Sequence, residues 1–363
     1  MLNTTKKNWL WLASLLLILA LTGAACTAPA AAPADDGATE ADAEEAADDG
    51  GEMAAALPGE GITVNPINGG VTTGYFQHFV LQRIIEELGY TVAEHAEAQF
   101  PALHLALGNG DVDYTANHWD PLHESFYLEA GGEESMTRLS HMITGAAQGY
   151  LIDKATADEY GITNLEDFKN PEIAALFDTD GDGLANLVGC DPGWGCERVI
   201  EHHLDAYELR DAINHDQGSY FALIADGIAR FEAGEPVLYY TWTPMWLGNV
   251  IVPGEDSVWL NVPFSTQPDG GTEDTSTEDG SNTGFVMNSV RVVANNDFLT
   301  DNPVLAKLFE IYELPINDVN AQNLLVNDGE NTVDDIYRHA DEWIEANRDT
   351  VDGWISEAMS AAE

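Results

Sequence analysis

Residues 62–92, ITVNPINGGVTTGYFQHFVLQRIIEELGYTV, contain the pattern that decides the fold class. Residues 62–64 are typical of a short strand, and apolar side chains then recur at the spacing of one helix face over residues 76–88. Gly89 is placed to end that helix, and residues 90–92 resume as a strand. This strand–helix–strand order predicts an α/β fold with βαβ units and a largely parallel sheet.

The same alternation continues along the chain. It predicts a second helix over 101–107 and a strand over 112–115, which leaves residues 117–119 at a strand end, where such sheets bind ligands. Helices are expected to dominate from residue 303 onward, and the polar segment 265–284 is long enough to be an inserted loop. Between these regions the pattern predicts strands over 148–152, 185–188 and 237–242, and helical segments over 155–176 and 197–209.

Charge is the outlying feature of the composition. The 363 residues include 63 acidic and 13 basic side chains, a net charge of −50. Such a field repels nucleic acid and opposes electrostatic docking on an anionic membrane. Once nine acidic and two basic residues of the first 56 are set aside, 54 and 11 remain, a net −43. Two explanations stay open, a surface adapted to high salt and an ordinary acidic exported protein.

The N-terminus predicts export and a lipid anchor. Two lysines precede a short apolar run, and small residues stand directly before Cys26. We expect residues 1–25 to be a lipoprotein signal peptide, with Cys26 acylated on the outer face of the cytoplasmic membrane. The alternative is an ordinary cleaved signal followed by an unrelated cysteine. Residues 26–56 have almost nothing to bury, which predicts an acidic, disordered stalk.

Aromatic residues mark a candidate binding site. Trp119, Trp194 and Trp242 occur where strands are expected to end. Several indole faces together attract a cation that cannot form hydrogen bonds, although each tryptophan taken singly fits a packing role. Cys190 and Cys196 flank Trp194, and in an exported protein they are expected to form a disulfide. Zinc binding and a cysteine nucleophile are the less favoured alternatives.

An Asp/Gly segment predicts a metal site, from a pattern that plain acidic turns also show. Asp178, Asp180, Asp182 and Asn186 occupy the first, third, fifth and ninth positions of a calcium-type loop, with glycine at the sixth. The twelfth position is Gly189 rather than glutamate. A structural Ca²⁺ and a plain acidic turn therefore both remain open, and no other cofactor is expected.

Five segments carry a more specific resemblance. They are residues 57–66, 119–123, 145–154, 190–196 and 239–244, and together they resemble the ProX-type glycine betaine/proline betaine-binding proteins of ProU-like (OpuAC-like) ABC importers. The resemblance implies a two-lobed, type II-like periplasmic-binding-protein fold with ligand in the interlobe cleft. It further implies one lobe from 57–150 plus 270–363 and another from 151–269.

The family's pocket implies roles for individual residues. By motif, Trp119, Trp194 and Trp242 would surround a trimethylammonium group, while His123 and the amides of Gly195 and Cys196 would hold the carboxylate. The implied partners are glycine betaine or a related betaine, an ABC permease and its ATPase, and the protein would act as a monomer. His118 has no counterpart in the family and is expected at the surface. We expect packing roles for Trp246, Trp259, Trp343 and Trp354.

Two other function classes follow from the same residues. An enzyme acting on a methylamine would need a cofactor motif, and the sequence has no glycine-rich dinucleotide fingerprint after a strand, no Walker A motif and no H-E-x-x-H. A sugar-binding surface lipoprotein would use exposed tryptophans as platforms. We expect no catalysis.

Overall fold

The computed structural model describes residues 57–277 and 280–362. The predicted signal peptide, Cys26 and the stalk lie outside these residues. Within the described part of the chain, no helix combines the length and the apolar character needed to cross a membrane.

The described residues form thirteen strands and thirteen α-helices. The strands are β1 (Thr63–Val64), β2 (Ile67–Asn68), β3 (Thr91–Val92), β4 (Ala96–Glu97), β5 (Tyr114–Asp120), β6 (Met136–Arg138), β7 (Ile143–Ala146), β8 (Gln148–Asp153), β9 (Ala185–Val188), β10 (Ile213–Asp216), β11 (Leu238–Trp242), β12 (Ser257–Trp259) and β13 (Asn288–Asn295). The helices are α1 (Tyr75–Glu87), α2 (Phe100–Asn109), α3 (Glu124–Glu129), α4 (Lys154–Tyr160), α5 (Pro171–Ala174), α6 (Gly195–Ala206), α7 (Tyr220–Glu232), α8 (Leu247–Val250), α9 (Asn296–Asp301), α10 (Pro303–Ile311), α11 (Ile316–Asn327), α12 (Val333–Ala346) and α13 (Arg348–Met359).

The predicted βαβ unit at residues 62–92 is confirmed. β1 and β3 pair in parallel, with Thr63 opposite Thr91 and Val64 opposite Val92, and α1 joins them. Gly89 follows the helix with φ 91°, a left-handed conformation that glycine adopts without strain. The apolar face of α1 is buried against α12 and the other C-terminal helices.

The prediction of a largely parallel sheet is wrong for the two larger sheets. One has the strand order β10-β9-β11-β8-β12, in which the pairs β10–β9 and β9–β11 are parallel and β8 is antiparallel to both neighbours. In the other, β13 pairs antiparallel with β5, β6 and β7. Strand direction depends on which distant strand returns to the same sheet, and the periodicity of a single segment does not contain that information.

The chain passes from one large sheet to the other at two places, which positions the site. β7 ends at Ala146 and β8 begins at Gln148, so the first passage takes one residue. The second lies between β12 and β13 and contains the predicted 265–284 loop, where Thr275 and Asn282 hydrogen-bond to Ser265. The proposed limits of the two lobes stay a prediction.

Candidate functional site

A cavity lies where residues from both large sheets meet. Its volume is about 560 Å³, including the mouth that opens to solvent. The residues predicted for the site all line it, although the sequence separates them by as many as 123 positions: Trp119, His123, Trp194, Gly195, Cys196 and Trp242. The cavity is also lined by Val71, Thr73, Gly74, Gln77, Phe100, Asn117, Leu122, Ile143, Gln148, Tyr240, Pro244 and Val290.

Trp119 lies on β5, which is longer than expected and places this residue inside the strand. Its indole Nε1–H donates to Oδ1 of Asn117 over 3.1 Å. The two residues share one face of the strand because successive side chains alternate. The indole is therefore held at the cavity wall by a neighbour on its own strand.

Trp194 and Trp242 form a second aromatic group in the cavity wall. Their ring centroids are 5.5 Å apart and their planes meet at 80°, so one ring edge faces the other ring. Tyr220 supports both, with its ring centroid 4.8 Å from Trp242 and 6.0 Å from Trp194. Both tryptophans are 7% exposed. Perpendicular indoles that are nearly buried make a concave, electron-rich surface suited to a bulky cation.

The predicted disulfide joins Cys190 to Cys196, with the sulfur atoms 2.06 Å apart. It closes the turn that leads into α6, whose first residues are Gly195 and Cys196. Among residues 57–277 and 280–362, no hydrogen-bond acceptor contacts the amides of these two residues. Unpaired amides at a helix N-terminus attract anions, because the helix dipole adds to their partial positive charge.

Gly195 allows the wall of the cavity to close tightly. A Cβ at this position would lie 2.7 Å from Leu122 and 3.0 Å from the His123 ring. A side chain would therefore push the start of α6 away from the loop that follows β5. Glycine here is required by the close approach of the two segments.

His123 is 2% exposed and contributes a defined donor. Its Nδ1 accepts the backbone N–H of Trp119 over 3.2 Å, so the neutral ring carries its proton on Nε2. Burial, with a smaller effect of nearby His104, holds the pKa of His123 well below its usual range. The imidazole is therefore a neutral Nε2–H donor.

A second histidine, His215, hydrogen-bonds to the turn that the disulfide closes. His215 accepts the backbone N–H of Cys190 on Nε2 over 3.1 Å and donates from Nδ1 to Glu201 over 2.7 Å. Asp191, in the same turn, accepts the backbone N–H of Tyr220. The turn that presents Trp194 is thus tied to both β10 and α7.

The expectation that His118 lies at the surface is wrong, because its side chain is completely buried. Nδ1 of His104 donates to the Phe100 carbonyl over 2.7 Å, which leaves its Nε2 to accept from Nδ1 of His118 over 2.9 Å. Alternation along β5 would turn His118 away from the Trp119 face. β5 is covered on both faces, so the side away from the cavity is also interior.

Several residues of the cavity wall were not predicted. Gln148 is 1% exposed and pairs across the strands with Trp242, and within the described residues its Nε2 group has no hydrogen-bond partner. Tyr240 donates its hydroxyl to Oε1 of the same glutamine. Phe100 lies 4.2 Å from the His123 ring. Alternation would have indicated Tyr240, two positions before Trp242, whereas Gln148 and Phe100 reach the cavity only through tertiary pairing.

The tryptophans expected to pack do so. Trp246 is buried, Trp259 is half-buried against the core, and Trp343 and Trp354 stack with centroids 6.2 Å apart. All four lie outside the cavity wall.

The Asp/Gly segment forms a tight, exposed turn. Carboxylate oxygens of Asp178, Asp180 and Asp182 lie within 4.8 Å of one another. Asp178 accepts the backbone N–H groups of residues 180, 181 and 183, and these bonds lower its pKa. Oδ1 of Asn186 instead accepts the amide and hydroxyl of Thr179. Calcium binding at this turn stays a prediction.

Comparison with known proteins extends this picture. The family model described as "Substrate binding domain of ABC-type glycine betaine transport system" matches residues 63–346. The chain belongs to this family.

Relatives in the glycine betaine transport family match over most of their length. The chain is 49% identical to the glycine betaine/proline betaine-binding periplasmic protein of Escherichia coli (strain K12), covering 85% of this chain and 94% of that protein. It is 48% identical to the glycine betaine-binding periplasmic protein OusX of Dickeya dadantii (strain 3937), covering 85% and 93%.

A solved structure confirms the predicted fold class. The ABC-transporter choline-binding protein in complex with choline superposes with a TM-score of 0.65, at 20% identity, over 82% of this chain and 96% of its own. The fold is therefore that of the periplasmic binding proteins. The protein is the substrate-binding component of an ABC transporter of the glycine betaine family, and it is not an enzyme.

Proposed function

We propose that this protein captures glycine betaine, or a closely related quaternary-ammonium zwitterion, in the cavity lined by its three predicted tryptophans. The observation that carries the proposal is the convergence of two complementary surfaces on one cavity: aromatic faces without formal charge, and hydrogen-bond donors that no acceptor among the described residues contacts. A zwitterion whose cation cannot donate hydrogen bonds and whose anion can accept several matches both.

The trimethylammonium group would lie among Trp119, Trp194 and Trp242. The perpendicular pair Trp194–Trp242 supplies two of the faces, and Trp119 supplies the third from β5. A desolvated cation over an indole face gains about 2 kcal/mol. A trimethylammonium group has no N–H to donate, whereas a primary ammonium would lose hydrogen bonds to water that indole faces do not replace. The cage is therefore selective for soft, bulky cations.

The carboxylate would lie at the N-terminus of α6. Its oxygens would accept from the amides of Gly195 and Cys196 and from Nε2–H of His123. Because this histidine is neutral, the anion would be held by hydrogen bonds and the helix dipole rather than by an ion pair.

Delivery to a permease completes the proposal. Lobes formed by residues 57–150 plus 270–363 and by 151–269 would close on the ligand, and the permease with its ATPase would recognise the closed form. Acylation of Cys26 would hold a monomer on the outer face of the cytoplasmic membrane, with residues 26–56 as a tether. The periplasmic location of the relatives supports the export part of this proposal.

Calorimetric titration of the full chain in detergent and molar salt tests the assignment. Glycine betaine and proline betaine are expected to bind, whereas glycine, which keeps the carboxylate but lacks the methyl groups, is expected to bind at least 100-fold more weakly. Trp354→Ala, which removes a tryptophan outside the cavity, serves as the matched control for Trp119→Ala.

Two results would refute the proposal. One is equal affinity for glycine and glycine betaine, which would remove the need for an aromatic cage. The other is binding of oligosaccharides but not betaines, which would indicate the sugar-binding alternative. Mass spectrometry of the mature N-terminus tests the anchor separately, since a diacylglyceryl group on Cys26 is expected there.

A further inference from the structure

We infer that Asn117, held in turn by Asn68, is a positioning residue for the Trp119 indole, and that it tunes this ring for a cation. The inference deepens the proposed function and rests on it, because it presumes that Trp119 is one face of the cage. Asn117 belongs to the strand end at 117–119 that the sequence indicated, but it was given no role there, and Asn68 was not singled out.

A continuous chain of hydrogen bonds carries the inference. The Trp119 indole N–H donates to Oδ1 of Asn117 over 3.1 Å, and Nδ2 of Asn117 donates to Oδ1 of Asn68 over 3.2 Å. Asn68 Oδ1 also accepts the backbone N–H of Gly69 over 2.6 Å, and its Nδ2 donates to the Gly74 carbonyl over 3.2 Å. The chain therefore runs from the cavity wall to the backbone that precedes α1.

Burial makes this chain rigid. Asn117 is 3% exposed and Asn68 is wholly buried, so water does not compete for their amide groups. A Cβ at Gly74 would lie 2.6 Å from Nδ2 of Asn117, which shows how closely the backbone approaches this amide. With Nδ2 engaged by Asn68, Oδ1 is the atom left to face the indole. The orientation of the Asn117 amide, and through it that of the indole, is fixed by the network.

The same bond has an electronic consequence for the ring. An acceptor on the indole N–H polarises the bond and moves electron density into the ring, because hydrogen bonds in a low-dielectric interior reinforce one another's polarity. A more negative face attracts a cation more strongly. Asn117 thus acts on the ligand through Trp119 rather than by contact with the charged groups of the ligand.

A double-mutant cycle separates this role from a merely structural one. Betaine affinity is measured by calorimetry for the full chain carrying Asn117→Val, Trp119→Phe, or both. Valine suits a strand position and removes the acceptor, while phenylalanine keeps an aromatic face but has no N–H to donate. Thr115→Val is the matched control, since Thr115 is buried in the same strand outside the cavity wall and its hydroxyl has no hydrogen-bond partner in the part of the chain that the structure describes.

The expected result is a loss of affinity of about tenfold for Asn117→Val, the scale of one net hydrogen bond. In the Trp119→Phe background the same substitution should change affinity less than twofold, and Thr115→Val should leave it unchanged. An equal loss from Asn117→Val in both backgrounds, or no loss in either, would overturn the inference.

A second measurement needs no variant at position 117. In the ¹⁵N-tryptophan-labelled, ligand-free protein, the Trp119 indole resonance, assigned by its absence in Trp119→Phe, should exchange slowly with solvent. Fast exchange would overturn the inference even if the Asn117 variant did not fold. If the wild-type protein bound no betaine, the proposed function would fail, while slow exchange would still support the hydrogen bond to Asn117.

Discussion

Choline offers the proposed site the same trimethylammonium group as glycine betaine, but a neutral hydroxyl where betaine carries a carboxylate. The three tryptophan faces would treat the two ligands alike, so any difference in affinity arises at the other end of the cavity. There, His123 is 2% exposed and Cys196 is 3% exposed, so a bound ligand would leave little water to pair with their donors. Comparing the two ligands therefore isolates the anion site from the cage.

The magnitude follows from counting donors. The site would direct three of them at the ligand: Nε2–H of His123 and the amides of Gly195 and Cys196. A single hydroxyl oxygen satisfies one donor well and leaves the others without an acceptor, and each unpaired buried donor costs about 1–3 kcal/mol. A total loss of about 3 kcal/mol corresponds to more than 100-fold weaker binding of choline.

Isothermal titration of the full chain with both ligands, in the same high-salt buffer, measures this ratio. His123→Phe keeps a ring of similar size and removes one donor, so the betaine-to-choline ratio should fall about tenfold, mainly through weaker binding of betaine. His141→Ala, at an exposed histidine, is the control and should leave the ratio unchanged. Equal affinities for choline and betaine in the wild-type protein would show that the carboxylate site is misassigned, even with the cage intact.

Four further predictions concern the cage, the charge and the histidines. Trp194→Ala should weaken betaine binding at least tenfold, since one desolvated cation–π contact contributes about 2 kcal/mol, whereas an unchanged dissociation constant would exclude this residue from the cage. The melting temperature should rise from low to molar salt, because residues 57–363 carry a net charge of −43 and salt screens the repulsion between the acidic side chains. At 1 M salt the Debye length is about 3 Å. A melting temperature that differential scanning calorimetry finds independent of salt would contradict this. Betaine affinity should change less than threefold between pH 8 and 5.5, because burial keeps the pKa of His123 well below its usual 6.5 and the ring stays neutral. Tighter binding below pH 6.5 would instead indicate that the His123 ring becomes an imidazolium. The free energy of unfolding should fall as the pH drops below about 6.5, by roughly 1 kcal/mol per buried histidine per pH unit. His78 and His104, with pKa values lowered to about 3 and about 4, stay unprotonated in the folded protein while the unfolded chain takes up protons. Urea titrations at pH 7 and 5.5 measure this loss.

The sequence by itself determined the local units and the chemistry of the site. Hydrophobic spacing over residues 76–88 predicted α1, because a helix that packs on a core must repeat its apolar side chains every three to four residues. Cys190 and Cys196 indicated their disulfide, since they are the two cysteines besides Cys26 in a chain whose N-terminus predicts export. The segments around Trp119, Trp194 and Trp242 predicted a common cavity through their resemblance to a known family, and the structure brings all three to its wall.

Tertiary structure alone decided strand direction and the surroundings of each side chain. β13 pairs antiparallel with β5 although more than 160 residues separate them, and no local pattern encodes such a pairing. His118 is interior because β5 is covered on both faces, so its lack of a family counterpart was a poor guide to its exposure. Asn68 reaches Asn117 only through the packing of β2 beside β5, and the orientation of the Trp119 indole depends on that contact. Residue type and spacing specify which groups are available to a ligand, whereas long-range packing determines where each group points.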